Sequence, residues 1–142
     1  VAGSFSVVTT LSRSVPALEH LTIRYGYERH CKRIRASDVP VLALEDPQAD
    51  ALIDIRREIE QAISIDRSEA IVLGCAGMAK LARLLTQEYG IPVIEGVTVA
   101  TKLVESLAFV GLKTSPAGGF ARPRPKSYAG SFARFARPAP AD

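Results

Sequence analysis

Four strand-like runs alternate with four helical runs along this chain, and no other feature narrows the choice of fold as far. Phe5-Ser-Val-Val-Thr-Thr10 alternates and is β-branched, the pattern of a strand. Ser12 or Ser14 is placed to cap a helix with Pro16 in its first turn; Val15, Leu18, Leu21, Thr22 and Tyr25 then recur at helical spacing up to Gly26. Cys31 to Ala36 alternates as a second strand, and Val39 to Leu44 is a short apolar run whose type Pro40 leaves open. Pro47 opens the next helix, in which Ala51, Leu52, Ile55, Ile59, Ala62 and Ile63 follow helical spacing. Glu69 to Gly74 reads as a strand with a buried centre and Cys75-Ala-Gly-Met78 as a turn. Leu81, Leu84 and Leu85 then share one face of a helix closed by Gly90. Ile91 to Ile94 is the fourth strand, Gly96 begins a turn, and Val99 to Val110 forms the last helix, stopped by Gly111.

This order predicts an α/β fold, a parallel sheet of about four strands flanked by helices. In such sheets ligands sit beyond the carboxyl ends of the strands. Three turns fall on that edge: Thr9 to Ser12, Leu73 to Met78, and Glu95 to Thr98.

Composition sets the outer limits. With 142 residues, 47% of them apolar, the chain has material for one domain with a real core. No apolar run approaches the roughly 20 residues of a membrane helix. The formal net charge of +3 is unevenly spread: Lys113, Arg122, Arg124, Lys126, Arg134 and Arg137 face Asp142 alone. Residues 1–112 are therefore slightly acidic, and with 6% aromatics and no Trp a nucleic-acid partner is not expected. Residues 1–112 are expected to form the folded part, and 113–142, rich in Pro, Gly, Arg and Ala, an extended basic arm with a disordered end. Phe120 and Tyr128 could anchor that arm on a neighbouring surface. The chain begins at Val1, its one methionine is Met78, and no signal peptide is visible, so a processed or shortened chain is expected. Two cysteines cannot build a disulfide scaffold, and the cytoplasm is the expected compartment.

Among residues that could carry chemistry, Cys75 stands out. It follows a buried strand at its carboxyl end and lies between Gly74 and Gly77, where the chain turns into a helix. N–H groups of that turn favour a thiolate, and glycines let a ligand approach the backbone. The plain alternative is a small cysteine that merely packs. Thr9 and Thr10 end the first strand, where their hydroxyl and N–H groups could hold a carbonyl or carboxylate; β-propensity and helix capping would also explain them. Cys31 falls at the amino end of a strand, the wrong edge. His20 and His30 show no ligand spacing with a cysteine, so no metal is expected. Gly74 to Lys80 lacks the spacing of a phosphate loop, and no Ser-His-Asp order is compelling. The carboxylates of the helix at 48–65 alternate with Arg56 and Arg57 as a solvated face would.

At these same residues the sequence resembles the hydantoin and allantoin racemases of the Asp/Glu racemase superfamily. The resemblance rests on Phe5-Ser-Val-Val-Thr-Thr-Leu-Ser-Arg-Ser14, Ala70-Ile-Val-Leu-Gly-Cys-Ala-Gly-Met78 and Ile91-Pro-Val-Ile-Glu-Gly96. Gly111-Leu-Lys-Thr-Ser115 and Arg122-Pro-Arg-Pro-Lys-Ser-Tyr128 follow in the family's order. It implies one lobe of a two-lobe fold and a two-base racemase without a cofactor, in which two cysteines flank a carbon next to a carbonyl. Cys75 matches the second cysteine. Thr9, Thr10, Gly74, Ala76 and Gly77 match positions that bind the substrate's ring or carbonyl groups. The family's first cysteine lies on a strand that would precede Val1, and Cys31 maps to the wrong edge. The resemblance therefore implies a fragment, inactive alone, whose partners are a small-molecule substrate, a missing amino-terminal lobe and further copies in a homo-oligomer. Two rivals remain: a decarboxylase of the same superfamily, which uses one cysteine at this position, and a lobe that only binds or assembles.

Overall fold

The computed structural model describes residues 1–45, 51–124 and 126–136. Strands β1 (Phe5–Thr9), β2 (Cys31–Ala36), β3 (Ala70–Leu73) and β4 (Val93–Glu95) form one sheet in the order β2-β1-β3-β4, with every neighbouring pair parallel. Helices α1 (Val15–Arg24), α2 (Ala51–Ser64), α3 (Ala82–Tyr89) and α4 (Gly96–Phe109) follow the strands in turn. The expected α/β alternation is present in full. The predicted opening of α2 at Pro47 lies outside the described residues.

β1 is an inner strand covered on both faces, so its successive residues Val7, Val8 and Thr9 are all buried although the segment alternates in sequence. Val8, Ile71, Leu73 and Val93 project from the sheet into one cluster with Ile55, Ile59 and Ala62 of α2 and with Met78 and Leu85. Each fully buried isoleucine or leucine there contributes about 1.5–3 kcal/mol through removal of apolar surface from water.

A charged cluster sits on that same face, and alternation along β2 hid it. Val8 pairs with Arg35, whose guanidinium is buried against α2. It donates to Asp66 at 2.7 and 2.8 Å, to Gln61 at 2.7 Å and to Glu58 at 3.3 Å. Asp66 also accepts from Ser6 Oγ at 3.2 Å. Glu58 thus leaves the solvated face assigned to it, because a buried guanidinium needs compensation. The two arginines of α2 itself do face outward, Arg56 to Glu88 and Arg57 to Asp54.

Other local expectations shift for identifiable reasons. A 3₁₀ turn, Ser12–Ser14, precedes α1, and Ser14 makes no capping bond; Ser12 bonds to Asp38 instead. The open apolar run becomes a 3₁₀ turn, Val41–Glu45, with the Pro40 carbonyl accepting from Ala43 N–H at 2.9 Å. Leu84 is exposed whereas Leu85 is buried. The segment Ala76–Leu81 is 3₁₀, at three residues per turn, so the phase set by Leu81 does not carry into α3. α4 starts directly at Gly96 because the Glu95 carboxylate accepts the N–H groups of Val97 and Thr98 at 2.6 and 2.8 Å.

The chain divides into two compact units, Val1–Glu105 and Ser106–Asp142. Within the second, two 3₁₀ turns, Gly118–Phe120 and Gly130–Phe135, are the regular structure after α4 among the described residues. The Arg134 guanidinium lies 4.9 Å from the centre of the Phe135 ring. No helix among the described residues is long and apolar enough to cross a membrane.

Candidate active site

The strand order reverses beside β1. The chain leaves β1 for β2 on one side and later returns to β3 on the other. In open parallel sheets this switch point leaves a crevice at the carboxyl ends of the two strands. Thr9 and Thr10 end β1 there, and Gly74 and Cys75 follow β3. The structure thus brings together the candidate residues that lie far apart in sequence.

Close approach of the two strand ends requires a glycine. Gly74 N–H donates to the Val8 carbonyl at 2.8 Å. A Cβ at Gly74 would lie 3.0 Å from Thr9 Cβ, 3.1 Å from Val7 Cγ1 and 3.3 Å from Thr9 Oγ1. Thr9 and Thr10 are both buried. The Thr9 carbonyl accepts from Ser37 N–H at 3.0 Å, which ties the end of β2 to the same edge.

Cys75 has extended backbone (φ −137°, ψ 130°), and its carbonyl accepts from Met78 N–H at 3.0 Å. Its side chain is half-buried, resting on the core on one side, while Ala76 and Gly77 beside it are exposed. The thiol is therefore neither sealed among hydrocarbon nor remote from the edge. A Cβ at Gly77 would lie 3.7 Å from Cys75 Sγ and 3.0 Å from Val41 Cγ1, so the turn leaves no spare room between the thiol and the 3₁₀ turn that follows β2. N–H groups at the start of a helical turn have no acceptor inside it. At Ala76 and Gly77 they are suited to a carbonyl oxygen or a developing negative charge.

Cys31 occupies the opposite edge, paired with Phe5 at the strand starts. Burial pushes its thiol above the ordinary range, which disfavours the thiolate. His20 is exposed, and His30 Nδ1 lies 2.9 Å from the Gly3 carbonyl. Among the described residues no three of His, Cys, Asp and Glu gather as a metal site would require.

At this edge the sequence missed Asp38 altogether and placed Glu95 only as the start of a turn. Asp38 has φ +54°, and its carboxylate accepts Ser12 N–H at 2.8 Å and Ser12 Oγ at 2.6 Å. The Ser12 hydroxyl, then its N–H, holds the Asp38 carboxyl below its usual range. This pair clamps the loop after β1 to the loop after β2. Glu95, which ends β4, is held below its range chiefly by the Thr98 side chain, then by the N–H groups of Thr98 and Val97. The signal for Asp38 was Ser-Asp between a strand and Val-Pro, since Asp tolerates left-handed backbone.

A parallel four-stranded sheet with a half-exposed cysteine at its switch point defines an open α/β protein whose candidate site lies at the strand ends. A family model for Asp/Glu/Hydantoin racemase matches residues 1–104, and the chain belongs to that family. The hydantoin racemase of Rhizobium meliloti is 50% identical over 130 residues, covering 92% of this chain and 54% of that protein. The hydantoin racemase of Pseudomonas sp. (strain NS671) is 41% identical over 138 residues, covering 96% and 55%. The solved structure of allantoin racemase from Klebsiella pneumoniae superposes with a TM-score of 0.83 at 47% identity, covering 96% of this chain and 56% of that one. The chain spans about half the length of the relatives it matches.

Proposed function

We propose that this chain is the Cys75-bearing lobe of a cofactor-independent racemase acting on 5-substituted hydantoins, allantoin or related amino-acid derivatives. Residues 1–112 form the lobe and the helix that closes its partner lobe, and the basic segment from 113 on is an arm, whose expected disordered end at 137–142 lies outside the described residues. The second cysteine comes from an amino-terminal lobe outside this sequence, and the assembled enzyme is a homo-oligomer of the cytoplasm. The observation that carries the reading is the half-exposed thiol of Cys75 at the switch point, one residue beyond the Gly74–Thr9 contact.

In this reaction a thiolate removes the proton from the carbon next to the carbonyl. The C–H bond breaks, an S–H bond forms, and the electron pair moves into the carbonyl as an enolate. The opposing thiol gives its proton to the other face of that carbon, and the original configuration is inverted. Cys75 is one of the two sulfurs, acting as base for one enantiomer and as acid for the other. The N–H groups of the Cys75-Ala76-Gly77 turn stabilise the enolate oxygen, and Thr9, Thr10 and Gly74 position the ring.

A single-cysteine decarboxylase is the second reading, favoured by the placement of Cys31 on the far edge, which leaves Cys75 as this chain's cysteine at the switch point. The test is to incubate the complete protein with one hydantoin enantiomer in D₂O. Loss of optical rotation with deuterium incorporation, abolished by Cys75→Ser, is expected. Release of CO₂ from a substituted malonate, without deuterium exchange into the hydantoin, would favour the decarboxylase. Turnover unchanged in Cys75→Ser would assign the lobe a binding or assembly role.

A further inference from the structure

A single segment, Ser37 to Leu44 after β2, reaches both rims of the candidate site. At its start the Ser37 N–H and hydroxyl donate to the Thr9 carbonyl at 3.0 and 3.4 Å. Asp38 then accepts the Ser12 N–H and hydroxyl, which fastens the segment to the loop that begins at Thr10. Val39, next along, is buried.

The far end is the 3₁₀ turn Val41–Glu45, and it bears on the Cys75 turn. The point that a Cβ on Gly77 would occupy lies 3.0 Å from Val41 Cγ1, 3.4 Å from Leu44 Cδ1 and 3.7 Å from Cys75 Sγ. The three side chains therefore border one space, too tight for a methyl group at an ordinary carbon contact of about 3.5–4.0 Å. Leu44 and Cys75 also rest on the same core cluster. Such a contact is stiff, because packed side chains have little room to yield.

The sheet itself does not set the spacing of these groups. The β1–β3 register runs from Phe5–Ala70 to Val8–Leu73, so Thr9, Thr10 and Cys75 lie beyond its last pair. We propose that Val41 is a positioning residue. Through the wedge that it and Leu44 make against Gly77, the segment from Ser37 to Leu44 fixes the Cys75-Ala76-Gly77 turn relative to Thr9 and Thr10. The consequence for turnover rests on the racemase reading, in which all of these groups act on one substrate. There a displacement of about 1 Å costs up to roughly a hundredfold in rate.

Two readouts test this in the complete protein. Iodoacetamide labelling of Cys75, followed by mass spectrometry, needs no turnover; racemisation of one hydantoin enantiomer gives kcat and KM. Val41→Ala should raise the labelling rate about threefold, because the thiol loses its wall. It should lower kcat about tenfold with KM changed less than about twofold, since positioning rather than binding is lost. Val41→Thr keeps the branched shape and should restore both readouts to near the wild-type values. Asp38→Asn loosens the other end of the segment and should move both in the direction of Val41→Ala; it carries the test should circular dichroism show that Val41→Ala misfolds. A labelling rate unchanged in Val41→Ala would overturn the proposal. So would a threonine variant as impaired as the alanine one, or, where the wild type racemises, an unchanged kcat. A wild type that racemises no hydantoin, with labelling still in the expected order, would sink the racemase reading and leave the positioning of the thiol in place.

Discussion

Thr9 and Gly74 meet so closely at the end of the sheet that a single methyl group at Gly74 would press on Thr9 Cβ at 3.0 Å. The threonine is buried and the neighbouring atoms belong to packed side chains, so there is little room to yield. Gly74→Ala should cost about 1–3 kcal/mol in urea unfolding. Gly96 has open space around it, so Gly96→Ala serves as the control and should unfold at or slightly above the wild-type midpoint.

Asp66 should govern acid stability. The Arg35 guanidinium, by hydrogen bonding first, holds the Asp66 carboxyl below its usual range. A depressed pKa contributes stability that is complete above the unfolded value of about 3.9 and disappears as pH falls through the folded value. Asp66→Ala leaves Arg35 buried with Glu58 and Gln61 alone, and should cost about 3 kcal/mol at neutral pH. Its stability should also lose slope below about pH 4, which denaturant titrations at several pH values would reveal.

Asp38 separates backbone strain from clamping. Asp38→Gly relieves the left-handed φ but removes both bonds to Ser12, Asp38→Ala does neither favour, and Asp38→Asn keeps one acceptor oxygen. Chemical denaturation should rank them below wild type in the order Asn, Gly, Ala. An alanine variant as stable as the wild type would remove the clamp from consideration.

The cysteines should be distinguishable by alkylation. In a Cys75→Ser background, iodoacetamide should label Cys31 slowly at neutral pH. The rate should rise only beyond the ordinary thiol range, because burial raises that pKa and the thiolate is the nucleophile. Mass spectrometry across a pH series reads the shift directly.

Much of this was legible in the residues. Strand and helix periods placed all four β-α pairs, and carboxyl-edge logic located Thr9, Thr10 and Cys75 on one rim. The rest depended on contacts that period alone does not encode. Arg35 looks solvent-bound in an alternating strand until Asp66, far along the chain, is folded against it. Leu84 carries the right letter at the wrong phase, because a 3₁₀ segment intervenes before α3. Asp38 and Ser12 form a clamp only once two loops from different strands converge.

The central position of β1 also shapes how the chain acquires its form. One edge of β1 is satisfied early, by β2, but the other waits for Ala70 to Leu73, which emerge from a ribosome much later. Until then a short, largely apolar ribbon has an unsatisfied hydrogen-bonding edge, and its rescue requires a contact of high sequence separation. A pairing of such sequence separation is slow to form, and a chain that has not yet made it presents an edge open to mispairing with other chains.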